Sequence, residues 1–180
     1  MSLPFDIADL EFRPLSDDCP RGAFSCGDRD IDRWFLKKAD DSHREFQSRV
    51  TTVHAPTGLC PVGFFALSWI AERESLLPQS PKSRDYFPAL HLEYVAVRRD
   101  FQGHGIGQYI MGRVLELYLD AADATAVPAL TLIALNERAE RFYKDLGFAP
   151  YAREEFGAGK RMLLPIQTAL ELRKSSPPTQ

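Results

Sequence analysis

The chain has 180 residues, of which 44% are hydrophobic and 26% charged, and its formal net charge at pH 7 is −3. This length suits one globular domain with a full hydrophobic core, and the composition excludes a disordered or fibrous protein. The negative charge excludes a general attraction for nucleic acid, and the lack of an apolar run of about 18 residues excludes a membrane span, so we expect a cytoplasmic protein.

The first half of the chain predicts a strand, a helix and a hairpin. Apolar alternation over Leu10 to Leu15 predicts the opening strand. From Asp28 onward, apolar residues recur at helical spacing, which predicts an amphipathic helix. Arg49 to His54 and Pro61 to Ile70 predict two strands of a hairpin. Residues 71–90 contain several prolines and predict a surface loop or a broken helix.

Strands and helices alternate in the second half. His91 to Val97 predicts a strand, which leads through a glycine-containing turn into a helix that begins at Ile106. The apolar run Ala129 to Leu135 predicts a strand that is buried on both faces.

The C-terminal part predicts one more helix and a closing strand. Asn136 suits the N-cap of a helix that Gly147 ends. Two i,i+4 ion pairs are expected on this helix, Glu137 with Arg141 and Glu140 with Lys144. Arg161 to Ile166 predicts the last strand. We expect a single domain over residues 1–172 and a flexible tail over residues 173–180.

The segment from Val95 to Gly107 is the most informative part of the sequence, because a strand there enters a glycine-rich turn and leaves as a helix. Glycines in such a turn expose main-chain N–H groups at the helix N-terminus, which predicts a pyrophosphate cradle. A P-loop would need lysine where Gln108 stands, and a dinucleotide fingerprint would need glycine at Gln108 or Ile110. The alternative is a tight turn that binds nothing.

This turn and three later motifs resemble the GNAT acyltransferase superfamily. The motifs are Gln102-Gly103-His104-Gly105-Ile106-Gly107, Asn136, Phe142-Tyr143 and Gly147-Phe148. The resemblance implies an α/β fold with a central, mixed but mostly antiparallel twisted sheet that splays between its fourth and fifth strands and is flanked by helices. It implies an acetyltransferase with acetyl-coenzyme A as cosubstrate. No metal is expected, since the cysteines lack CxxC spacing.

The resemblance also implies which residues bind the cofactor. The pantetheine arm would pair with the main chain of Val95, Ala96 and Val97. The pyrophosphate would be held by Gln102, Gly103, His104, Gly105, Ile106 and Gly107. Asn136, Phe142 and Tyr143 would complete the cofactor site. A simple helix cap is the alternative for Asn136, and core packing is the favoured alternative for Phe142.

Transfer to an amine needs a proton donor for the thiolate that leaves and, for some amines, a base. Tyr143 is the predicted donor, and a main-chain N–H on the strand Tyr94 to Val97 would meet the oxyanion. Glu93 and His91 are the candidate bases. The alternative is that both are ordinary exposed or paired strand residues.

Four segments of the first half resemble the branch of this superfamily that contains aminoacyl-tRNA-acetylating toxins. They are Phe24-Ser25-Cys26-Gly27-Asp28, Ile31-Asp32, Trp34-Phe35 and Gly63 to Ser68. This implies the α-amine of aminoacyl-tRNA as acceptor and an antitoxin protein as partner. The basic residues of the first helix region either bind phosphate or belong to a mixed-charge solvated face. These are Arg29, Arg33, Lys37, Lys38 and Arg44.

Other functions stay open at this point. The acceptor could instead be the amine of a small metabolite or of a protein, and a non-catalytic module that binds coenzyme A or a partner is a third reading. Dimers are common in such folds, so a homodimer is one expectation.

Overall fold

The computed structural model describes residues 3–56, 58–73, 85–151 and 159–175. Its strands are β1 (Glu11–Pro14), β2 (Arg49–His54), β3 (Gly63–Arg73), β4 (Tyr86–Val97), β5 (Ala129–Ala134), β6 (Ala149–Pro150) and β7 (Lys160–Pro165). Its α-helices are α1 (Arg29–Lys37), α2 (Ala39–Arg44), α3 (Ile106–Thr125), α4 (Glu137–Asp145) and α5 (Ile166–Ser175).

The strands form one seven-stranded sheet in the order β1-β2-β3-β4-β5-β7-β6. β1 with β2, β2 with β3, β5 with β7 and β6 with β7 are antiparallel, whereas β4 and β5 are parallel. The mixed, mostly antiparallel sheet with flanking helices confirms the predicted fold class. Among the described helices, none combines the length and apolar character that crossing a bilayer requires.

The described residues divide into two compact units. The first consists of Met1–Ser68 and Glu93–Val114, and the second of Trp69–Leu92 and Leu115–Gln180. The boundary between the units falls within β3, β4 and α3, so each of these elements belongs partly to one unit and partly to the other.

An aromatic cluster forms the core of the first unit. Phe35 on α1 is fully buried and stacks on Phe64 of β3 with ring centroids 3.9 Å apart, and the ring of Phe24 meets both edge-on. Trp34 extends the stack to Tyr94, at 4.1 Å. Each aromatic pair contributes about 0.5–1.5 kcal/mol beyond the area it buries. The helix predicted from Asp28 therefore packs inward as expected, although it ends at Lys37 and α2 follows.

In the second unit, helices pack against the sheet strands. The hydroxyl of Tyr118 on α3 donates to the carbonyl of Leu164 at 3.5 Å. Gly147, which ends α4 with φ +91°, lies so close to α5 that an added Cβ would stand 3.2 Å from Leu172 Cδ1. The predicted glycine stop is therefore confirmed, and it also allows the two helices to approach.

Two sequence-based predictions were wrong. The predicted loop over residues 71–90 is strand at both ends, because β3 reaches Arg73 and β4 begins at Tyr86; residues 74–84 lie outside the described part. Pro88 costs no hydrogen bond to β5, because the register with β5 begins at Ala89, one residue later. The chain after β7 forms α5, which takes in residues 173–175 of the predicted tail, and residues 176–180 are not described.

We expect the free energy of unfolding to decrease as the pH falls below about 6.5. Burial lowers the pKa of His43, His54 and His91, so the unfolded chain takes up protons that the folded chain refuses. His43 Nδ1 also accepts a hydrogen bond from the Val50 amide at 3.0 Å, and a proton there would break it. The stabilisation that these histidines provide above their pKa in the unfolded chain, about 6.5, is thus lost on acidification.

Guanidinium unfolding curves at pH 7.5 and 5.5 measure this effect. A His43→Asn variant keeps an acceptor for the Val50 amide without a titrating ring, so its pH dependence should be smaller. Equal unfolding free energies for the wild type at both pH values would contradict the expectation.

Candidate cofactor and acceptor site

The turn between β4 and α3 is fixed by hydrogen bonds to its own chain. The Gln102 side-chain amide donates to the carbonyls of Val97, at 2.9 Å, and Cys26, at 2.8 Å. The Arg99 amide donates to the carbonyl of Ser25 at 2.8 Å. The side-chain nitrogen of Gln102 is therefore engaged in holding the turn in place, and Gln102 serves the site by stabilising this turn.

The glycines of this turn have the conformation that the cradle prediction requires. Gly103 and Gly105 have φ of +79° and +85°, which side-chain-bearing residues rarely adopt. A Cβ added at Gly103 would meet nothing within 4 Å, so open space lies above the turn. The side chain of Ile106 is buried in the core, which leaves only its main chain for a ligand.

The N–H groups of the turn are suited to binding an anion. Within the described residues, the amides of Gly103, Gly105, Ile106 and Gly107 donate to no main-chain carbonyl, and the first α3 bond runs from Tyr109 to the Gly105 carbonyl. Unsatisfied amides at the start of a long helix, together with the helix dipole, favour a bound phosphate.

A cationic side chain beside the turn went unnoticed in the sequence. The Arg98 guanidinium lies over the Phe101 ring, 4.5 Å from its centroid, and its Nε stands 3.6 Å from an Asp100 carboxylate oxygen. Arg98 follows β4 directly, and a cation at this point adds to the positive potential of the turn. His104, which belongs to the predicted cradle, is half-buried.

The C-terminal part of β4 continues beyond its partner. The parallel register with β5 runs from Ala89↔Ala129 to Leu92↔Leu132, whereas β4 extends to Val97. In this extension Ala96 is buried, Val95 and Val97 are half-buried, and Glu93 is exposed.

The residues predicted on α4 lie together in the second unit. Asn136 Oδ1 accepts from the Ala139 amide at 2.9 Å, so this residue is the helix cap that the sequence suggested. Tyr143 is 8% exposed and packs between Phe142 and Phe148, with ring centroids 5.3 and 5.8 Å away. Burial raises the pKa of Tyr143 to about 12. Within the described part of the chain, its hydroxyl makes no hydrogen bond.

The ion pairs predicted on α4 are half confirmed. Lys144 Nζ lies 2.6 Å from Glu140 Oε1. Arg141 instead donates to the main-chain carbonyl of Glu137 at 3.4 Å.

His91, one of the two candidate bases, belongs to a polar cluster in the second unit. His91 Nδ1 lies 2.9 Å from Thr131 Oγ1 on β5. A buried carboxylate on β3, Glu72, accepts hydrogen bonds from Tyr151 at 2.8 Å and from Arg161 at 3.0 Å. Burial is the main cause of the lowered His91 pKa; the nearby Glu72 raises this pKa and Arg161 lowers it.

Apart from His91, the residues of this cluster were not predicted from the sequence. The only signal was Thr131, the single polar residue in the otherwise apolar β5. Among the described residues, no group of three histidine, cysteine, aspartate or glutamate side chains is placed to hold a metal ion.

Comparisons with known proteins agree with this geometry. Residues 10–148 match the sequence profile of the Acetyltransferase (GNAT) family. The chain is 28% identical over 138 residues to a tRNA-acetylating toxin of Mycobacterium tuberculosis, which covers 76% of this chain and 82% of the toxin.

Two solved structures show the same fold. AtaT complexed with acetyl-methionyl-tRNAfMet is 25% identical with a TM-score of 0.81, and the match covers 93% of this chain and 100% of that one. AtaTR bound with AcCoA is 24% identical with a TM-score of 0.77, over 92% of this chain and 99% of that one.

Proposed function

The chain belongs to the acetyltransferase (GNAT) family, and from this premise we propose that it transfers an acetyl group from acetyl-coenzyme A to the α-amine of aminoacyl-tRNA. The observation that carries the proposal is the turn at Gly103 and Gly105, whose amides open onto the N-terminus of α3. The similarity to a tRNA-acetylating toxin and to AtaT complexed with acetyl-methionyl-tRNAfMet supports the choice of acceptor.

Acetyl-coenzyme A would bind along β4 and its following turn. The amides of residues 103–107 would hold the pyrophosphate, and Arg98 would add a positive charge. The main chain of Val95 and Val97 offers strand-like hydrogen-bonding groups to the pantetheine arm where the register with β5 has ended. Bound there, the cofactor supplies the acetyl group as a thioester.

Tyr143 would donate the proton that the leaving thiolate needs. Its pKa of about 12 keeps the phenol protonated at any physiological pH. Such a phenol is a weak acid toward a thiol whose ordinary pKa is about 8.5. The burial that raises the phenol's pKa would, however, also raise that of a thiolate beside it, because low polarity disfavours both anions.

The state of His91 favours an α-amine over a lysine side chain. An α-ammonium has a pKa of about 7.7–8.0 and a lysine ammonium about 10.4. Because burial lowers the His91 pKa below its usual value, this imidazole is a poor base toward a lysine ammonium, whereas the pKa of an α-ammonium lies much closer to that of the ring. We therefore propose His91, rather than the exposed Glu93, as the base.

The tRNA would meet exposed basic side chains on and after α1. Arg33 and Arg44 already pair with acidic neighbours, at 3.7 Å from Asp30 and 3.9 Å from Asp17. For Lys37 and Lys38, no ion pair is present among the described residues. These two lysines are therefore available for tRNA phosphates.

We expect the Lys37→Glu/Lys38→Glu variant to raise KM for aminoacyl-tRNA about 10-fold at physiological salt, and to flatten its dependence on salt, because fewer counterions are released. Acetylation of a free amino-acid ester should not change. The control variant Arg173→Glu/Lys174→Glu alters the net charge equally on α5. Equal losses in both variants would show a general charge effect and contradict a binding face.

The decisive experiment incubates the purified protein with labelled acetyl-coenzyme A and charged tRNA, free amino acids, polyamines or a lysine peptide. Label on the aminoacyl group of tRNA supports the proposal. Label on a metabolite or peptide alone would show that the acceptor is a different amine, although the reaction is still acetyl transfer. Binding of acetyl-coenzyme A without transfer to any amine would indicate that the protein is a non-catalytic module that binds the cofactor.

If aminoacyl-tRNA is the acceptor, the protein would block translation, and a dedicated inhibitor protein would have to restrain it in its own cell. An in-vitro translation reaction should then stop only when acetyl-coenzyme A is present. The alternative of a metabolite or protein amine keeps one observation in its favour, the formal net charge of −3, which is unusual for a protein that binds tRNA.

A further inference from the structure

Thr131 and His91 face each other on neighbouring parallel strands. They are register partners in the β4–β5 pair, and Thr131 is fully buried. Besides its 2.9 Å contact with His91 Nδ1, Thr131 Oγ1 lies 3.4 Å from the carbonyl oxygen of Leu90.

These two contacts together bear on which ring nitrogen of His91 carries the proton. A threonine hydroxyl has one proton to donate and lone pairs with which to accept. The Leu90 carbonyl can only accept, and when the hydroxyl proton is directed to it the 2.9 Å contact with His91 needs a proton on Nδ1. In this tautomer Nε2 carries no proton and keeps its lone pair, and within the described residues Nε2 makes no hydrogen bond.

Burial lowers the pKa of His91 and so favours the neutral ring, and the two charged groups nearby act against each other. Glu72 on β3 and Arg161 on β7 act on it with opposite signs, and each is engaged with the other at 3.0 Å. Tyr151 donates its hydroxyl to the same Glu72 oxygen, so the carboxylate is committed to these donors. His91 is thus a neutral imidazole with one free lone pair.

We propose that Thr131 is a positioning residue for acetyl transfer, which holds His91 in the Nδ1-protonated tautomer so that Nε2 can take the proton of the acceptor amine. The inference rests on the proposed function. In this step the ammonium N–H bond breaks, the proton binds Nε2 to give an imidazolium, and the nitrogen keeps the electron pair with which it attacks. The imidazolium returns the proton to water.

The test combines a spectroscopic readout with kinetics. In 15N-labelled free protein, long-range proton–nitrogen spectra of the His91 ring should show a protonated Nδ1 and an unprotonated Nε2. Thr131→Val, which keeps the side-chain shape, should shift the ring toward the other tautomer and lower kcat about 10- to 100-fold. Thr131→Ser should restore both, and KM for acetyl-coenzyme A should stay the same.

A second threonine–histidine pair supplies a matched control. Thr52 Oγ1 donates to the Arg13 carbonyl at 3.1 Å and lies 3.0 Å from His54 Nε2. Thr52→Val should therefore change the His54 tautomer without changing kcat. Moreover, Thr131→Val should cost nothing further in a His91→Gln background, because it acts through His91.

Two results would overturn the inference: an Nε2-protonated His91 in the wild type, or full turnover in Thr131→Val. Because the spectrum is recorded without substrate, it can fail or succeed independently of the proposed function. Absence of transfer to every amine would remove the function, whereas a wrong tautomer with active enzyme would remove only the role of Thr131.

Discussion

Tyr143→Phe is expected to lower kcat about 100- to 10,000-fold, which is the range that general acid catalysis contributes. The substitution removes one oxygen atom and keeps the ring that packs between Phe142 and Phe148. Since that hydroxyl makes no hydrogen bond within the described residues, little stability should be lost. Isothermal titration should give an unchanged Kd for acetyl-coenzyme A.

The matched control is Tyr118→Phe. Tyr118 is also a buried tyrosine, and its hydroxyl donates to the Leu164 carbonyl at a long 3.5 Å. This variant should lose a little stability, about 1 kcal/mol or less, and keep its turnover. Wild-type kcat in Tyr143→Phe, or an equal loss in both variants, would remove Tyr143 from the role of proton donor.

The pH dependence of kcat gives a second test of the same assignment. Because the pKa of Tyr143 is raised to about 12, the phenol stays protonated through the alkaline range in which enzymes are assayed. The rate should therefore show no alkaline decline from this group. An acid limb is expected instead, where His91 becomes protonated and can no longer accept a proton.

The glycine turn and the α4 motif could be read from the sequence because their residue types are required by local geometry. Gly103, Gly105 and Gly147 all have positive φ, and Asn136 caps its helix. Such positions accept few other residues, so the types themselves carry the information.

The polar cluster could not be read in this way. Glu72, Thr131 and Arg161 stand on three different strands, and each is an unremarkable residue within its own segment. Their proximity follows from strand order and register, which depend on contacts between residues distant in the chain. Helix α5 was missed for a different reason. It begins directly after β7, and no cap signal separates the two elements.

Gly103→Ala is expected to weaken the binding of acetyl-coenzyme A about 10-fold, because a left-handed conformation costs a residue with a side chain about 1–2 kcal/mol. A Cβ at this position would meet no atom within 4 Å, so the loss would come from the backbone alone. The free protein can relax the strained turn, and the ligand must then restore it. Adding Gly105→Ala should bring the loss to about 100-fold.

Gly112→Ala is the matched control, because it makes the same substitution in the helix that the turn introduces. A Cβ at Gly112 also meets nothing within 4 Å, but the backbone there is helical, so alanine should stabilise the protein by about 0.5–1 kcal/mol and leave the Kd unchanged. Both variants add one methyl group in open space, but only Gly103 has a left-handed backbone and lies in the turn. If both bound acetyl-coenzyme A like the wild type, the left-handed glycine would have no part in presenting the amides, and the cofactor would have to be held elsewhere.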